Sequence, residues 1–170
     1  MRKIVLFVLV MIFGLCTVSA QEIDSLQSEN LSARIDSLTL ELKQLRHDYD
    51  FFYCKYLVET CTYDIARLCT DIRFASERIT SNSYHGTWNV DAYIHYKDGI
   101  GRYEELLNLN KQDFENRKFL IDSVISRANF TDSEKEYLQS MCSSFEARCI
   151  LAEGCIREYK LSVELYKLSR

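Results

Sequence analysis

Six of the seven cysteines in this chain form two sets of three, and each set has the spacing of residues along one side of a helix. The first set is Cys54, Cys61 and Cys69, and the second is Cys142, Cys149 and Cys155. Structural zinc sites and redox or haem motifs usually place two cysteines with about two to four residues between them, and no such pair occurs here. The spacing therefore indicates disulfide formation or simple packing, and we expect no metal ion and no cofactor.

Helix geometry limits which of these cysteines can be bonded. Seven residues of helix span about 10.5 Å, whereas a disulfide joins Cα atoms no more than about 6.8 Å apart, so each bond must join one set to the other. Parallel helices would give the pairs Cys54–Cys142, Cys61–Cys149 and Cys69–Cys155. Antiparallel helices would give Cys54–Cys155, Cys61–Cys149 and Cys69–Cys142. The predicted bond is Cys61–Cys149, which belongs to both patterns; the alternative is that all six are buried free thiols.

The N-terminal segment favours the disulfide interpretation because it resembles an export signal. Arg2 and Lys3 precede an apolar run over residues 4–16, and residues 17–20 end on small side chains. The run is too short for a membrane-spanning helix, which needs roughly 20 apolar residues. We expect residues 1–20 to be a cleaved signal peptide, which makes the protein secreted or periplasmic, where disulfides persist. The alternative is a lipoprotein, anchored through an acylated Cys16.

Charge and composition exclude several partners. The formal net charge is −4, and removing Arg2 and Lys3 with the signal changes it to −4 − 2 = −6. An acidic chain without a basic cluster is a poor ligand for nucleic acid, and no membrane span is expected after signal cleavage. The chain contains no proline, so nothing interrupts helices strongly except a few glycines.

Apolar spacing predicts an all-α protein: an elongated three- (or four-) helix bundle with a projecting N-terminal coiled-coil segment. The coiled coil is expected over residues 21–48, and its apolar seam is Leu31, Ile35, Leu38, Leu42 and Leu45. The bundle is expected over residues 49–170, with a loop at 81–89 and a capping box formed by Thr131 and Glu134. Gly99 and Gly101 could break the middle helix, which would make four helices.

A row of tyrosines on the first helix raises a second possibility for binding. The row comprises Tyr49, Tyr53, Tyr56 and Tyr63. We expect it to pack at the rim of the bundle against Tyr93, Tyr96 and Tyr103, because aromatic residues at helical spacing usually belong to a helix interface.

These patterns predict a binding protein rather than an enzyme. No nucleophile elbow, phosphate-binding loop or HExxH motif is present. We expect the protein to act by self-association or by binding a protein partner through its coiled coil. The alternatives are an extracytoplasmic holdase chaperone for unfolded clients, and an enzyme or small-ligand binder whose site is not visible in the sequence.

Overall fold

The computed structural model describes residues 25–170, with side chains from residue 31 onward, and this part of the chain is almost entirely helical. It comprises α1 (Ser25–Tyr84), α2 (Val90–Arg127) and α3 (Asp132–Leu168), and no strand occurs within it. The all-α class is therefore confirmed. The predicted signal peptide lies outside the described residues. The chain divides into two units, Met1–Gln44 and Leu45–Arg170, and the bundle described next lies within the second.

Each boundary between helices has a local cause. Gly86 adopts a positive φ of 64°, which glycine tolerates without strain, and it lies two residues after the end of α1 at Tyr84. Asn89 caps α2, since its side-chain oxygen accepts hydrogen bonds from the amides of Asp91 and Ala92 at 2.8 and 3.2 Å. The capping box at the start of α3 is confirmed: Thr131 and Glu134 each bond the other's backbone amide.

Contacts between side chains give the order of the helices in the bundle. Arg127 pairs with Asp50 at 3.8 Å and Asn82 bonds Tyr96 at 2.9 Å, so α2 runs antiparallel to α1. Further contacts join Phe51 to Tyr137 and Thr80 to Ser162, so α3 runs parallel to α1. The bundle therefore runs up, down and up.

The core is formed by one apolar stripe from each helix, as the spacing predicts. The fully buried side chains of α1 include Cys54, Val58, Ile65, Ile72 and Ile79. Facing them are Phe114 and Ile121 from α2 and Leu138, Phe145, Val163 and Tyr166 from α3. The rings of Phe114 and Phe145 stack with centroids 3.9 Å apart at the centre of the α2–α3 interface.

The possible break in the middle helix does not occur, because α2 continues through Gly99 and Gly101. One of these two glycines is needed for packing. The buried hydroxyl of Tyr159 donates a hydrogen bond to the backbone carbonyl of Tyr96 at 2.9 Å. To reach it, the Tyr159 ring passes so close to Gly99 that a Cβ there would collide with the hydroxyl oxygen. Gly101, two residues further on, faces open space. Because α2 is unbroken, the bundle has three helices rather than four.

The two glycines should respond in opposite directions to the same substitution. We expect Gly99→Ala to destabilise the protein by about 1–3 kcal/mol, because it overpacks the site filled by Tyr159. Gly101→Ala should stabilise by up to about 1 kcal/mol, since alanine is the better helix former and nothing obstructs it. Urea denaturation of both variants measures the difference. Equal stabilisation by the two substitutions would contradict the close approach of Tyr159.

Candidate functional site

The five predicted seam residues are all exposed. Each keeps between 52% and 65% of its residue surface accessible to solvent: Leu31, Ile35, Leu38, Leu42 and Leu45. Isolated exposed apolar residues are ordinary, but a row at heptad spacing is typical of a surface that packs against another helix. This row, called the seam below, is the first candidate site.

Three of the four tyrosines in the row do not pack as predicted. Tyr53 is partly buried and packs against the core. Tyr49, Tyr56 and Tyr63 are each more than 60% exposed, and so is Phe52 beside them. The antiparallel order of α1 and α2 is the reason, because it places Tyr96 beside Asn82, towards the other end of α1. The rim partners expected for this row are therefore too far along the bundle to reach it.

The cysteines lie where the spacing predicts, but as free thiols. Five of the six are buried, Cys142 is half-buried, and no two are at disulfide distance. The parallel order of α1 and α3 brings Cys54 near Cys142 and Cys69 near Cys155, which is the first of the two patterns derived from the sequence.

The predicted Cys61–Cys149 bond is absent, and the reason is visible in the α1–α2 interface. The Cys61 thiol points to α2, where it donates to a carboxylate oxygen of Asp113 at 3.7 Å. Arg117 holds that carboxylate at 2.8 Å and also donates to the Thr60 hydroxyl at 2.6 Å. This polar cluster directs Cys61 away from α3, so the prediction of a disulfide here is wrong. The cysteines of the bundle act as small packing residues.

Burial makes these thiols weak acids. Desolvation in the core raises the pKa of Cys54, Cys61 and Cys69 to about 11, from the ordinary 9.0. Acidic side chains add to the effect at two of them, Asp50 at Cys54 and Asp113 at Cys61. Nucleophilic cysteines have a lowered pKa instead, so these three lack the property that catalysis would require.

A groove of about 550 Å³ between α1 and α2 is the second candidate site. Tyr159 and Gly99 form part of its lining, and Arg78 and Arg102 border it, exposed and without an ion-pair partner among the described residues. Phe74, which is also exposed, lies at its edge. Asp98 also lines the groove, so its charged groups are two guanidinium groups and one carboxylate.

The described part of the chain contains neither a metal-binding cluster nor a helix suited to span a membrane. Among the side chains from residue 31 onward, no group of three or more His, Cys, Asp or Glu residues is arranged to hold a metal ion. None of the three helices, over the residues described, combines the length and apolar character needed to cross a membrane.

The raised thiol pKa predicts a specific reactivity. At pH 8 the folded protein should carry about 100-fold less thiolate at Cys54, Cys61 and Cys69 than the unfolded chain, so iodoacetamide should label them at least that much more slowly. Peptide mass spectrometry with and without denaturant measures the ratio. Similar labelling rates in the two states would contradict the burial of these groups.

The same shift predicts how stability depends on pH. A group whose pKa is raised by folding stabilises the folded state below its unfolded pKa and loses that effect as the pH rises to its folded pKa. The free energy of unfolding should therefore fall as the pH rises from 9.0 to about 11. Urea denaturation across this range measures the fall in the free energy of unfolding. A folded triple variant, with alanine at positions 54, 61 and 69, should show a smaller fall.

Comparisons with known proteins do not identify the chain. Neither the protein-family models, nor the curated proteins, nor the solved structures include a significant match to it. Its function must therefore be argued from the seam, the thiols and the groove themselves.

Proposed function

We propose that this protein is an exported, non-enzymatic helical-bundle protein that acts by self-association or protein binding through an N-terminal coiled coil. The binding surface is the seam, and the bundle over residues 49–170 is the folded body that carries it. The observation that supports the proposal is that all five seam residues are more than half exposed while the stripe of α1 from Cys54 to Ile79 is buried.

The seam carries enough apolar surface for association. Burying the remaining exposed part of one such side chain stabilises a complex by roughly 1–2 kcal/mol. Two copies would bury ten of them, which gives roughly 10–20 kcal/mol in total. The loss of translational and rotational freedom on association costs about 4–15 kcal/mol. The two quantities are comparable, so the seam supports a reversible complex.

Export is part of the proposal and rests on the sequence alone. The basic start, the apolar run over residues 4–16 and the small residues before Gln21 together support a cleaved signal. In an oxidising compartment Cys54, Cys61 and Cys69 are protected by their raised pKa, since disulfide formation proceeds through the thiolate.

The first prediction concerns the seam. Leu38→Asp should abolish self-association because it places a charge in the centre of the contact. Leu40→Asp is the matched control: it makes the same change two residues away, at a position 68% exposed that lies outside the seam. Sedimentation velocity of the full chain should show that only the first substitution dissociates the complex. A native chain that is monomeric at all concentrations, and unchanged by deleting residues 21–45, would remove self-association.

The second prediction concerns the signal. Expressed with its own leader in a bacterium, the protein should be recovered outside the cytoplasm with an intact mass that begins at Gln21. A mass that begins at an acylated Cys16 would identify a lipoprotein instead, and a cytoplasmic protein that retains Met1 or Arg2 would contradict export.

A further inference from the structure

The seam has the residue choice of a two-stranded coiled coil. In heptad notation Leu31, Leu38 and Leu45 occupy d positions, and Ile35 and Leu42 occupy a positions. Leucine at d together with a β-branched residue at a favours two parallel strands, whereas isoleucine at d favours higher oligomers. Every d position of this seam is leucine and Ile35 at a is β-branched, which points to two strands; Leu42, at the other a position, departs from the rule.

Charges beside the seam favour a second copy of the same chain in parallel register. Glu41 occupies a g position and Arg46 the e position of the next heptad. In a parallel dimer the g residue of one chain faces that e residue of the other, so this pair of opposite charges occurs twice, once on each side. Both side chains are exposed, and neither has an ion-pair partner among the described residues.

An antiparallel arrangement fits these charges less well. In an antiparallel dimer Ile35 of one chain would pack against Leu45 of the other, and Leu42 against Leu38, so residues near position 40 of the two chains would lie side by side. This arrangement therefore sets the Glu41 carboxylates of the two chains against each other. It also brings Arg34 of each chain beside Asp48 of the other, a favourable contact that occurs twice, but Asp48 already contacts His47 at 3.4 Å.

We infer that the partner of the seam is a second copy of this chain, and that the two copies form a parallel, in-register, two-stranded coiled coil held in register by two Glu41–Arg46 pairs. This inference rests on the proposed function and specifies its partner.

Engineered thiols test the register directly. In the full-length protein, Leu38→Cys places two identical d positions face to face, and the oxidant diamide should convert most of the protein into a covalent dimer. Leu40→Cys, at an exposed f position, should give at least tenfold less. The native chain under the same treatment gives the background from its own thiols, which are mostly buried.

Charge exchange tests the pairing. Glu41→Arg and Arg46→Glu should each raise the dissociation constant about tenfold, because each turns two attractions into two repulsions. Mixed in equal amounts, the two variants should form a heterodimer that is at least as stable as the native dimer. Circular dichroism of each variant checks that the helices are intact.

The outcomes separate this inference from the proposed function. An antiparallel dimer would depend on Leu38 but give no cross-link with L38C alone, whereas a mixture of L38C and L42C would cross-link. This result overturns the inference and leaves self-association standing. A seam-dependent trimer does the same. A native chain that is monomeric, with neither L38C nor the mixture cross-linking, overturns the inference and self-association together, and leaves only binding to a different protein.

Discussion

The packing of the apolar stripe of α1 between α2 and α3 is the constraint on which the bundle depends. This stripe runs from Cys54 to Ile79, and its most buried members retain almost no solvent-accessible surface. Because helices in proteins are stabilised mainly by packing of an apolar face rather than by helix propensity, burial of these faces supplies most of their stability. The order of the helices follows from the short connections at residues 85–89 and 128–131, which return the chain to the same core. N-terminal to the stripe, from Leu31 to Leu45, α1 keeps the apolar spacing but its side chains stay exposed. This contrast between a covered and an uncovered apolar stripe is the basis of the proposed function.

The cysteines show which structural features can be predicted from residue spacing and which cannot. Their positions on the inner faces of α1 and α3, and the parallel pairing of the two sets, follow from helical period and an up, down and up order. The state of each thiol does not, because a disulfide depends on Cα separations and thiol directions that differ by an ångström or two. At Cys61 the deciding contact is with Asp113 on α2. The two cysteine sets lie on α1 and α3, so no pattern within them could reveal this contact. Small side chains that fit the core explain the two sets without a covalent bond.

Other parts of the fold could be derived from the sequence where the cause is local. The capping box at Thr131 and Glu134 is such a case, since both partners lie within one helical turn, and the stripes of the core follow from spacing alone. The glycines of α2 could not be interpreted in this way. Gly99 and Gly101 have the same helix propensity, and only the position of Tyr159, sixty residues away from Gly99 in the chain, shows that one of them is required by packing. The tyrosine row was misplaced for a similar reason, because its expected partners lie on α2 at a level fixed by the antiparallel order. Of the candidate sites, the seam was visible in the sequence, whereas the groove near Arg78 and Arg102 arises only when α1 and α2 are side by side.

The central claim is that the seam is covered in solution by association rather than left in water. Hydrogen–deuterium exchange of the full chain, followed by mass spectrometry at several protein concentrations, tests it most directly. The account predicts that amides between residues 31 and 45 become more protected as the concentration rises, while amides in the bundle, such as those between residues 54 and 79, stay equally protected throughout. Fast exchange of residues 31–45 that does not change with concentration would contradict it.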